Sequence, residues 1–339
     1  MEVQLIEDLA IKNALYPFAE IRAVADIRLG ILTLREKWSL YKDRIPASLS
    51  LPANTIPSVK LLDQLEIAGD KGGKLSLDSL TRPWEIFEKN DAAIRDDFEL
   101  IRAGRKSAPI PETVQTISSD NIFIEEGAVI SHCILNAATG PIYIGRNAQI
   151  MEGATIRGPF ALCEGAVVKM GARIYGATTV GPYSVVGGEI KNVVIFGYSN
   201  KAHDGYLGDS VIGEWCNLGA GTSNSNIRNT ASDVKLWHQP ELKFLEVGLK
   251  CGLMMGDYSR SAINTSFNTA TVVGVGAHVF GNGLTPKYIP DFSWGIEGNL
   301  SYDFEKAIID ITNWKKLKNK NLSEHEMQTL KTIFDRKKK

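Results

Sequence analysis

The chain of 339 residues carries 38 lysines and arginines against 39 aspartates and glutamates, which gives a formal net charge of −1. Nucleic-acid-binding proteins normally carry a basic excess, so this balance argues against that class. Hydrophobic residues make up 44% of the chain, a share ordinary for a soluble globular protein long enough for two domains. No apolar run approaches the roughly 20 residues that span a bilayer, and the first residues do not begin a signal peptide. We therefore expect a cytoplasmic protein with neither membrane nor nucleic-acid partners.

Residues 1–105 alternate short apolar runs with polar loops, and this pattern predicts a small α/β domain. Within it, residues 83–101 have the composition of a helix that leads into the following domain. Four cysteines occur in the whole chain, widely spaced and without a Cys-x-x-Cys pair. Their spacing predicts reduced thiols and no zinc site.

A repeat of six residues dominates the next segment, which we assign to residues 106–298. An aliphatic residue recurs at every sixth position, namely Ile144, Ile150, Ile156, Leu162, Val168, Ile174, Val180 and Val186. A small residue follows four positions later in most repeats, namely Ala148, Ala154, Ala166, Ala172, Thr178 and Ser184. This period places successive aliphatic residues on different faces of an α-helix, so a helix is excluded. It is typical of a left-handed parallel β-helix, a triangular prism in which each hexapeptide forms one face and one corner.

The repeat changes phase near Ile212 and again near Val273, and its largest interruption covers residues 222–247. Each change of phase predicts a loop expelled from a corner, and long loops on a rigid scaffold often carry function. After the repeat, residues 302–317 and 323–334 predict two helices within a C-terminal segment of residues 299–339. Ser323 and Glu326 are spaced as a capping box at the start of the second helix.

Hexapeptide β-helices are mostly acyltransferases, although γ-class carbonic anhydrases share the scaffold, so individual residues must discriminate. A carbonic anhydrase site needs three convergent histidines on zinc. The five histidines of this chain, His132, His203, His238, His278 and His325, include no close pair. The sequence therefore favours an acyltransferase over a metal-dependent enzyme, and we predict no metal site.

Four motifs at fixed spacing lie between residues 173 and 222. They are Arg173, Glu189-Ile190-Lys191, His203-Asp204-Gly205-Tyr206-Leu207-Gly208-Asp209 and Asn217-Leu218-Gly219-Ala220-Gly221-Thr222. This stretch resembles the acetyltransferase domain of the bacterial bifunctional family that acetylates glucosamine-1-phosphate and then uridylylates it. The resemblance implies acetyl-CoA as co-substrate and a sugar phosphate or nucleotide sugar as partner.

A base is required for this reaction because an ammonium group cannot attack a thioester. His203 is the only histidine in the motifs, and an imidazole titrates near neutral pH, so we expect it to be the catalytic base. Arg173 and Lys191 suit binding of a sugar phosphate. The alternatives are a histidine packed at a corner and two cations that pair with Glu189 or Asp209 on an exposed face.

The resemblance implies further contacts to the ligands. Tyr206, Asn217 and Asn226 would bind the sugar, and Ala220 would line the groove for acetyl-CoA. For Asn217 a structural asparagine ladder is a strong alternative, since such ladders are common in β-solenoids.

Residues 24–38 resemble the N-terminal segment of sugar nucleotidyltransferases found chiefly in Bacteroidetes. Such enzymes hold the triphosphate on a loop of the type Gly-x-Gly-Thr-Arg-Leu, whereas residues 1–30 contain one glycine, Gly30. We therefore expect residues 1–105 to be a reduced nucleotidyltransferase-like domain. Mg²⁺ would be needed only if nucleotidyl transfer is retained.

Three functions thus stay open. The favoured one is a CoA-dependent acetyltransferase acting on an amino-sugar phosphate or a nucleotide sugar. The second is a sugar-1-phosphate nucleotidyltransferase. The third is a non-catalytic trimeric scaffold. The sequence after Asn226 departs from the family's pattern, and this departure favours the third function. For each, the flat sides of the prism favour a homotrimer, and in the favoured function the site is shared between chains.

Overall fold

The computed structural model describes residues 3–45, 49–71 and 76–336. Its centre is a parallel β-helix that runs from strand Gln115–Ile117 to strand Tyr288–Ile289, with short strands that repeat on three faces. All strand pairs between successive coils are parallel, for example Ile174 with Ile190 and Ile190 with Leu207. The predicted left-handed parallel β-helix is thereby confirmed.

The strands of each face follow one another along the axis. The first face contains Gln115–Ile117, Ile134–Asn136, Thr155–Arg157, Arg173–Tyr175, the first halves of Glu189–Ile195 and Tyr206–Ile212, Ser223–Asn224 and Ser266–Phe267. The second face contains Ile122–Ile124, Ile142–Ile144, Phe160–Leu162, Thr178–Val180, the second halves of the same two long strands, Met254–Met255, Val272–Val273 and Tyr288–Ile289. The third face contains Val129–Ile130, Gln149–Ile150, Val167–Val168, Val185–Val186, Asn200–Lys201, Asn217–Leu218, Arg260–Ser261 and His278–Val279.

The interior of the prism is filled by the aliphatic series that the sequence predicts. All eight residues of the series from Ile144 to Val186 are at most 2% exposed. The small residues that follow them, such as Ala148 and Ser184, are fully buried at the corners. Burial on this scale, at about 25 cal/mol per Å² of apolar surface, is the main term that stabilises the coil stack.

Aromatic residues occupy one line of corners in the left-handed backbone conformation. Tyr183, Tyr198 and Trp215 have φ values of 57°, 57° and 60°. Their rings stack in succession, with centroids 5.3 Å and 4.3 Å apart. Since a side chain in this conformation is strained, the stacking offsets part of that cost. The six-residue repeat in the sequence gives no indication of this line of aromatic corners.

Two C-terminal helices, Phe304–Lys316 and Glu324–Arg336, pack beside these aromatic corners. The Lys315 ammonium lies 5.0 Å from the centre of the Trp215 ring, and its Nζ pairs with Glu326 at 2.6 Å. The capping box is present, because the Glu326 N–H donates to Ser323 Oγ while the Ser323 N–H donates to the Glu326 carboxylate.

The N-terminal region packs against the outside of the second face. It contains the strands Gln4–Ile6, Arg28–Leu29, Leu32–Thr33 and Ser50–Pro52, and the helices Leu9–Ala14, Leu34–Leu40, Val59–Lys71, Glu85–Glu88 and Asn90–Arg102. Phe18 and Leu29 share a buried cluster with Val194, Val211 and Met254 of the second face. Residues 83–101, for which the sequence predicts one helix, form two helices, Glu85–Glu88 and Asn90–Arg102.

A tight turn at Gly30 fixes this region to the β-helix. Gly30 has a φ of 75°, and a Cβ there would lie 2.5 Å from Asp97 Oδ2, so only glycine fits. Its N–H donates to Asn90 Oδ1, and its carbonyl accepts from Thr179 Oγ1 of the second face.

The interruption predicted for residues 222–247 contains an antiparallel hairpin, formed by Val234–His238 and Lys243–Gly248. It projects from the prism between a strand of the first face and the next strand of the second face. In the described part of the chain, no helix combines the length and the apolar composition that crossing a lipid bilayer requires.

Candidate functional site

Most of the predicted site residues lie in adjacent coils of the first face. The strand register aligns Arg173 with Glu189 and Glu189 with Tyr206, so the three residues form a row across three coils. A second row, displaced by two positions, aligns Tyr175 with Lys191. Because residues two positions apart in a strand point to the same side, both rows present their side chains outward on one surface.

A hydrogen-bonded network closes this surface at the corner between the first and second faces. Asn226 Nδ2 donates to Tyr206 Oη at 3.0 Å and also to Asp209 Oδ2. Asn192 Nδ2 donates to Asp209 Oδ1 at 2.8 Å. Asp209 is 4% exposed and receives both amides, so its carboxylate is satisfied as buried charges require. The network fixes Tyr206 and Asn226 relative to each other.

Burial and the nearby Asp209 carboxylate raise the pKa of Tyr206 to about 12. Tyr206 therefore stays protonated at neutral pH. Its hydroxyl oxygen accepts from Asn226, which leaves its proton available for a ligand oxygen.

The cations of the surface are only weakly engaged. Arg173 Nε lies 3.9 Å from Glu189 Oε2, and Arg173 is exposed. Glu189 instead accepts a hydrogen bond of 2.7 Å from the hydroxyl of Tyr175. Lys191 has no ion pair or side-chain hydrogen bond with any residue the structure describes. Arg173 and Lys191 are thus available to an anionic ligand such as a phosphate.

A groove of about 370 Å³ begins beside these cations. Its lining includes Arg157, Arg173 and Tyr175, together with apolar atoms of Ile134 and Ile156. A groove with an apolar floor and a few convergent polar groups is typical of a small-molecule site.

His203 lies in the corner that joins the third face to the first, between strands Asn200–Lys201 and Tyr206–Ile212. The residue is exposed, and its imidazole makes no hydrogen bond with the described residues. Its backbone carbonyl accepts a hydrogen bond of 2.5 Å from Lys201 Nζ. Lys201 is only 1% exposed and occupies the interior row of the third face, beside Val186. Burial lowers the pKa of Lys201 to about 8.

Ala220 occupies the same corner one coil further, where the Gly221 N–H donates to the Asp204 carbonyl at 2.9 Å. Asn217 lies on the third face, paired with Asn200 and Arg260. The Asn217 side chain is half-buried, and its Oδ1 is 3.5 Å from Asn200 Nδ2. Within one chain, Asn217 thus lies on a different face from the other predicted sugar contacts.

A basic groove of about 500 Å³ lies on the other side of Asn226, under the projecting hairpin. Arg228, Lys235 and Lys287 contribute to its lining. Burial lowers the pKa of Lys287, whose Nζ binds Thr269. The groove offers a second place for negative charge beside the first face.

Sequence reasoning did not single out Tyr175, Asn192 or Lys201 as part of this site. The signal for Tyr175 was the coil length, since Tyr175 and Lys191 are sixteen residues apart like Arg173 and Glu189. Lys201 gave no such signal, because it lies fifteen residues after Val186 and so falls outside the six-residue frame. Over the described ranges, no group of three histidine, cysteine, aspartate or glutamate side chains is placed to hold a metal ion.

Residues 3–53 match the family model described as sugar nucleotidyl transferase. The bifunctional protein GlmU of Methanocaldococcus jannaschii is 30% identical over 206 residues, which cover 60% of this chain and 44% of that protein. GlmU of Micrococcus luteus is 25% identical over 272 residues, which cover 71% of this chain and 50% of that protein. The chain therefore spans half or less of the length of these curated relatives.

Among solved structures, a UDP-N-acetylglucosamine acyltransferase of Francisella novicida matches with a TM-score of 0.35 and 14% identity, over 67% of this chain and 87% of that chain. The sequence and family-model matches confirm the resemblance inferred from the motifs. The chain is similar to sugar nucleotidyl transferases at its N-terminus and to bifunctional GlmU proteins over more than half of its length.

Proposed function

We propose that the protein is a CoA-dependent acetyltransferase that acts on the amino group of an amino-sugar phosphate or a nucleotide sugar. The observation that carries the proposal is the surface of the first face, where Arg173 and Lys191 lie beside the Tyr206–Asn226 pair. His203 precedes Tyr206 by three residues on the same coil. The similarity to bifunctional GlmU proteins supports the same reaction class.

In the proposed reaction the amino nitrogen of the sugar attacks the thioester carbon. The imidazole of His203 takes a proton from that nitrogen during the attack. The C–N bond forms, the C–S bond breaks, and the sulfur of CoA leaves and takes up a proton. A general base must be free to accept a proton, and the exposed imidazole of His203 makes no hydrogen bond or ion pair with the described residues.

The remaining residues bind the acceptor. Arg173 and Lys191 neutralise its phosphate, the arginine as a fork and the lysine as a point charge. Tyr206 donates its hydroxyl proton to a sugar oxygen, and Asn226 holds Tyr206 in place. Alanine at position 220 leaves room for the CoA chain beside the corner that carries His203.

The separation of Asn217 from Tyr206 supports a site shared between copies of the chain. The N-terminal region covers the second face. On the third face the C-terminal segment reaches Asn200 through Lys318 Nζ at 3.4 Å and Arg260 through the Trp314 ring, while Asn217 between them stays half-buried. We therefore propose a homotrimer in which the first face of one copy meets the third face of the next. Asn217 of one copy would then complete the sugar site of its neighbour.

The test is an acetyl-transfer assay with acetyl-CoA and glucosamine-1-phosphate, in which free CoA thiol is measured. Because a general base contributes about 10²–10⁴-fold, we expect His203→Ala to lose at least 100-fold of kcat with an unchanged circular dichroism spectrum. The matched control is His325→Ala, an exposed histidine of the last helix, which should retain activity. Equal activity of the two variants, or no thiol release by the unsubstituted protein with any amino-sugar phosphate, would contradict the proposal.

The match of residues 3–53 to the sugar nucleotidyl transferase model favours a second candidate, nucleotidyl transfer to a sugar-1-phosphate. Release of pyrophosphate from a nucleoside triphosphate and a sugar-1-phosphate, with Mg²⁺ present, distinguishes this candidate. If neither thiol release nor pyrophosphate release is detected, the non-catalytic scaffold is the function that remains.

A further inference from the structure

A cavity of about 440 Å³ lies at the junction of the three parts of the chain, away from the corner that carries His203. Its lining comes from the N-terminal region, the end of the hairpin, the last coil and the last helix. These residues are Asn13, Tyr16, Glu20, Gln239, Pro240, Tyr288, Pro290, Asp291 and Arg336. Nothing in the proposed acetyl transfer uses them.

The charges of the cavity do not balance among the described residues. Glu20 is 7% exposed, and its Oε2 accepts from Arg336 Nη2, so these two groups neutralise each other. Asp291 forms no ion pair within the described residues, although the charge of Arg336 acts on its carboxylate from across the cavity. Its Oδ1 accepts from the hydroxyl of Tyr16 at 3.0 Å and from the Val275 N–H at 2.7 Å. Its Oδ2 accepts no hydrogen bond from the described part of the chain.

The cavity thus holds one cation, Arg336, for the two carboxylates Glu20 and Asp291, and a half-buried carboxylate that is incompletely neutralised is stabilised when a further cation binds beside it. Burial, and to a lesser degree the Glu20 carboxylate, raise the pKa of Asp291 to about 6, although hydrogen bonds from Val275 and Tyr16 and the charge of Arg336 act in the opposite direction. At neutral pH the group is charged, and its open oxygen faces a cavity large enough for a small molecule.

The other lining groups suit hydroxyls. Gln239 Oε1 is engaged by Trp237 Nε1 at 2.9 Å, so its amide protons remain as donors. Asn13 contributes a second amide. Pro240 and Pro290 provide apolar walls against which the C–H surface of a sugar ring can pack.

We propose that this cavity binds a small polyhydroxylated primary amine, such as an amino sugar, whose ammonium group pairs with Asp291. This inference is independent of the proposed acetyl transfer, because no residue is shared between the two sites.

The test is isothermal titration of the full chain at pH 7.5 with three probes: glucosamine, glucose and N-acetylglucosamine. Only glucosamine carries an ammonium group, so we expect it to bind at least about tenfold more tightly than the other two. Similar affinities for all three, or no binding of glucosamine, would overturn the proposal.

Substitutions then locate the binding. Asp291→Asn should weaken glucosamine binding by at least about tenfold. Its matched control is Asp310→Asn, which alters another carboxylate that accepts from a tyrosine hydroxyl, that of Tyr302, outside the cavity. If Asp291→Asn does not fold, Asn13→Phe fills the cavity from a half-buried position and should abolish binding. If glucosamine binds the folded variant, Asp291→Asn or Asn13→Phe, as tightly as it binds the unsubstituted protein, its site is elsewhere. That result would also overturn the proposal.

Discussion

Lys201 is the residue that departs most from the pattern of its surroundings. The interior row of the third face reads Ile130, Ile150, Val168, Val186, Lys201, Leu218, Ser261 and Val279. An ammonium at such a position loses its hydration, and from the described residues it has one hydrogen bond in return, to the carbonyl of His203. Since that carbonyl belongs to the proposed base, the lysine tethers the corner on which the base lies.

The cost of this arrangement predicts a stabilising substitution. Burial lowers the pKa of Lys201 from 10.5 to about 8, and each pKa unit corresponds to about 1.4 kcal/mol. The charged form is therefore about 3 kcal/mol less stable in the folded chain than in the unfolded one. We expect Lys201→Met to raise the free energy of unfolding at pH 7 by up to this amount, measured by urea denaturation.

The pH dependence gives a second readout of the same substitution. Between pH 8 and 10.5 the unfolded chain binds the proton and the folded chain does not, so the unsubstituted protein gains stability as pH rises. This gain should be absent in Lys201→Met. Lys191→Met, the same change at a half-buried lysine of the first face, should keep the gain. A parallel pH profile for all three proteins would show that the Lys201 ammonium is not destabilising.

At the scale of elements, the repeat predicted the strands well because the prism leaves little choice. Only a hexapeptide spacing brings an aliphatic residue inward on every face, so the series from Ile144 to Val186 places the coils directly. The register places Arg173, Lys191 and Tyr206, which the motifs single out, on neighbouring coils. The repeat does not predict contacts between residues that are far apart in the sequence.

The region of residues 83–101 shows why such contacts override local pattern. Its periodicity suggests one helix, yet the structure has two, Glu85–Glu88 and Asn90–Arg102. Asn90 is fully buried, accepts from the Gly30 N–H and donates to the Ala177 carbonyl. Both partners are far away in the sequence, so no local rule could reveal them. The network of Asn192 and Asp209 depends in the same way on Asn226, which lies on the coil that follows the coil of Asp209.

The N-terminal region and the β-helix are joined by a buried ion pair, whose loss predicts a large destabilisation. Arg22 Nη2 lies 2.9 Å from Oδ1 of Asp257, which is 1% exposed, and the Asp257 Oδ2 has no partner among the described residues. Arg22→Met would leave a buried carboxylate without its cation, at a cost of about 3–5 kcal/mol. Thermal and urea unfolding measure this change.

Two further variants make the interpretation specific. Arg44→Met removes an arginine of the same region whose pairs with Asp63 and Glu66 are exposed, and it should have a much smaller effect. Adding Asp257→Asn to Arg22→Met removes the unpaired charge and should recover part of the loss. Equal effects of Arg22→Met and Arg44→Met would mean that the buried pair does not hold the two parts together.

At the scale of the whole molecule, the N-terminal region and the C-terminal helices limit how copies of the chain can pack against one another. The N-terminal region covers the second face, and the C-terminal helices lie beside the aromatic corners between the second and third faces. The first face, with Arg173 and Tyr206, and the corner with His203 and Ala220 stay uncovered by other described segments. These surfaces, together with the half-buried Asn217 of the third face, are the ones that a shared site between copies requires.

This arrangement predicts complementation between inactive chains. Arg173→Ala and Asn217→Ala should each abolish most acetyl transfer, because the first removes a phosphate contact and the second a contact supplied to the neighbouring copy. In mixed trimers of the two variants, about one interface in four joins an intact first face to an intact third face. Co-expressed and purified together, the variants should therefore recover about a quarter of the original activity. Light scattering should give three times the chain mass. A monomer, or no recovery from a verified mixture, would show that each chain carries its whole site alone.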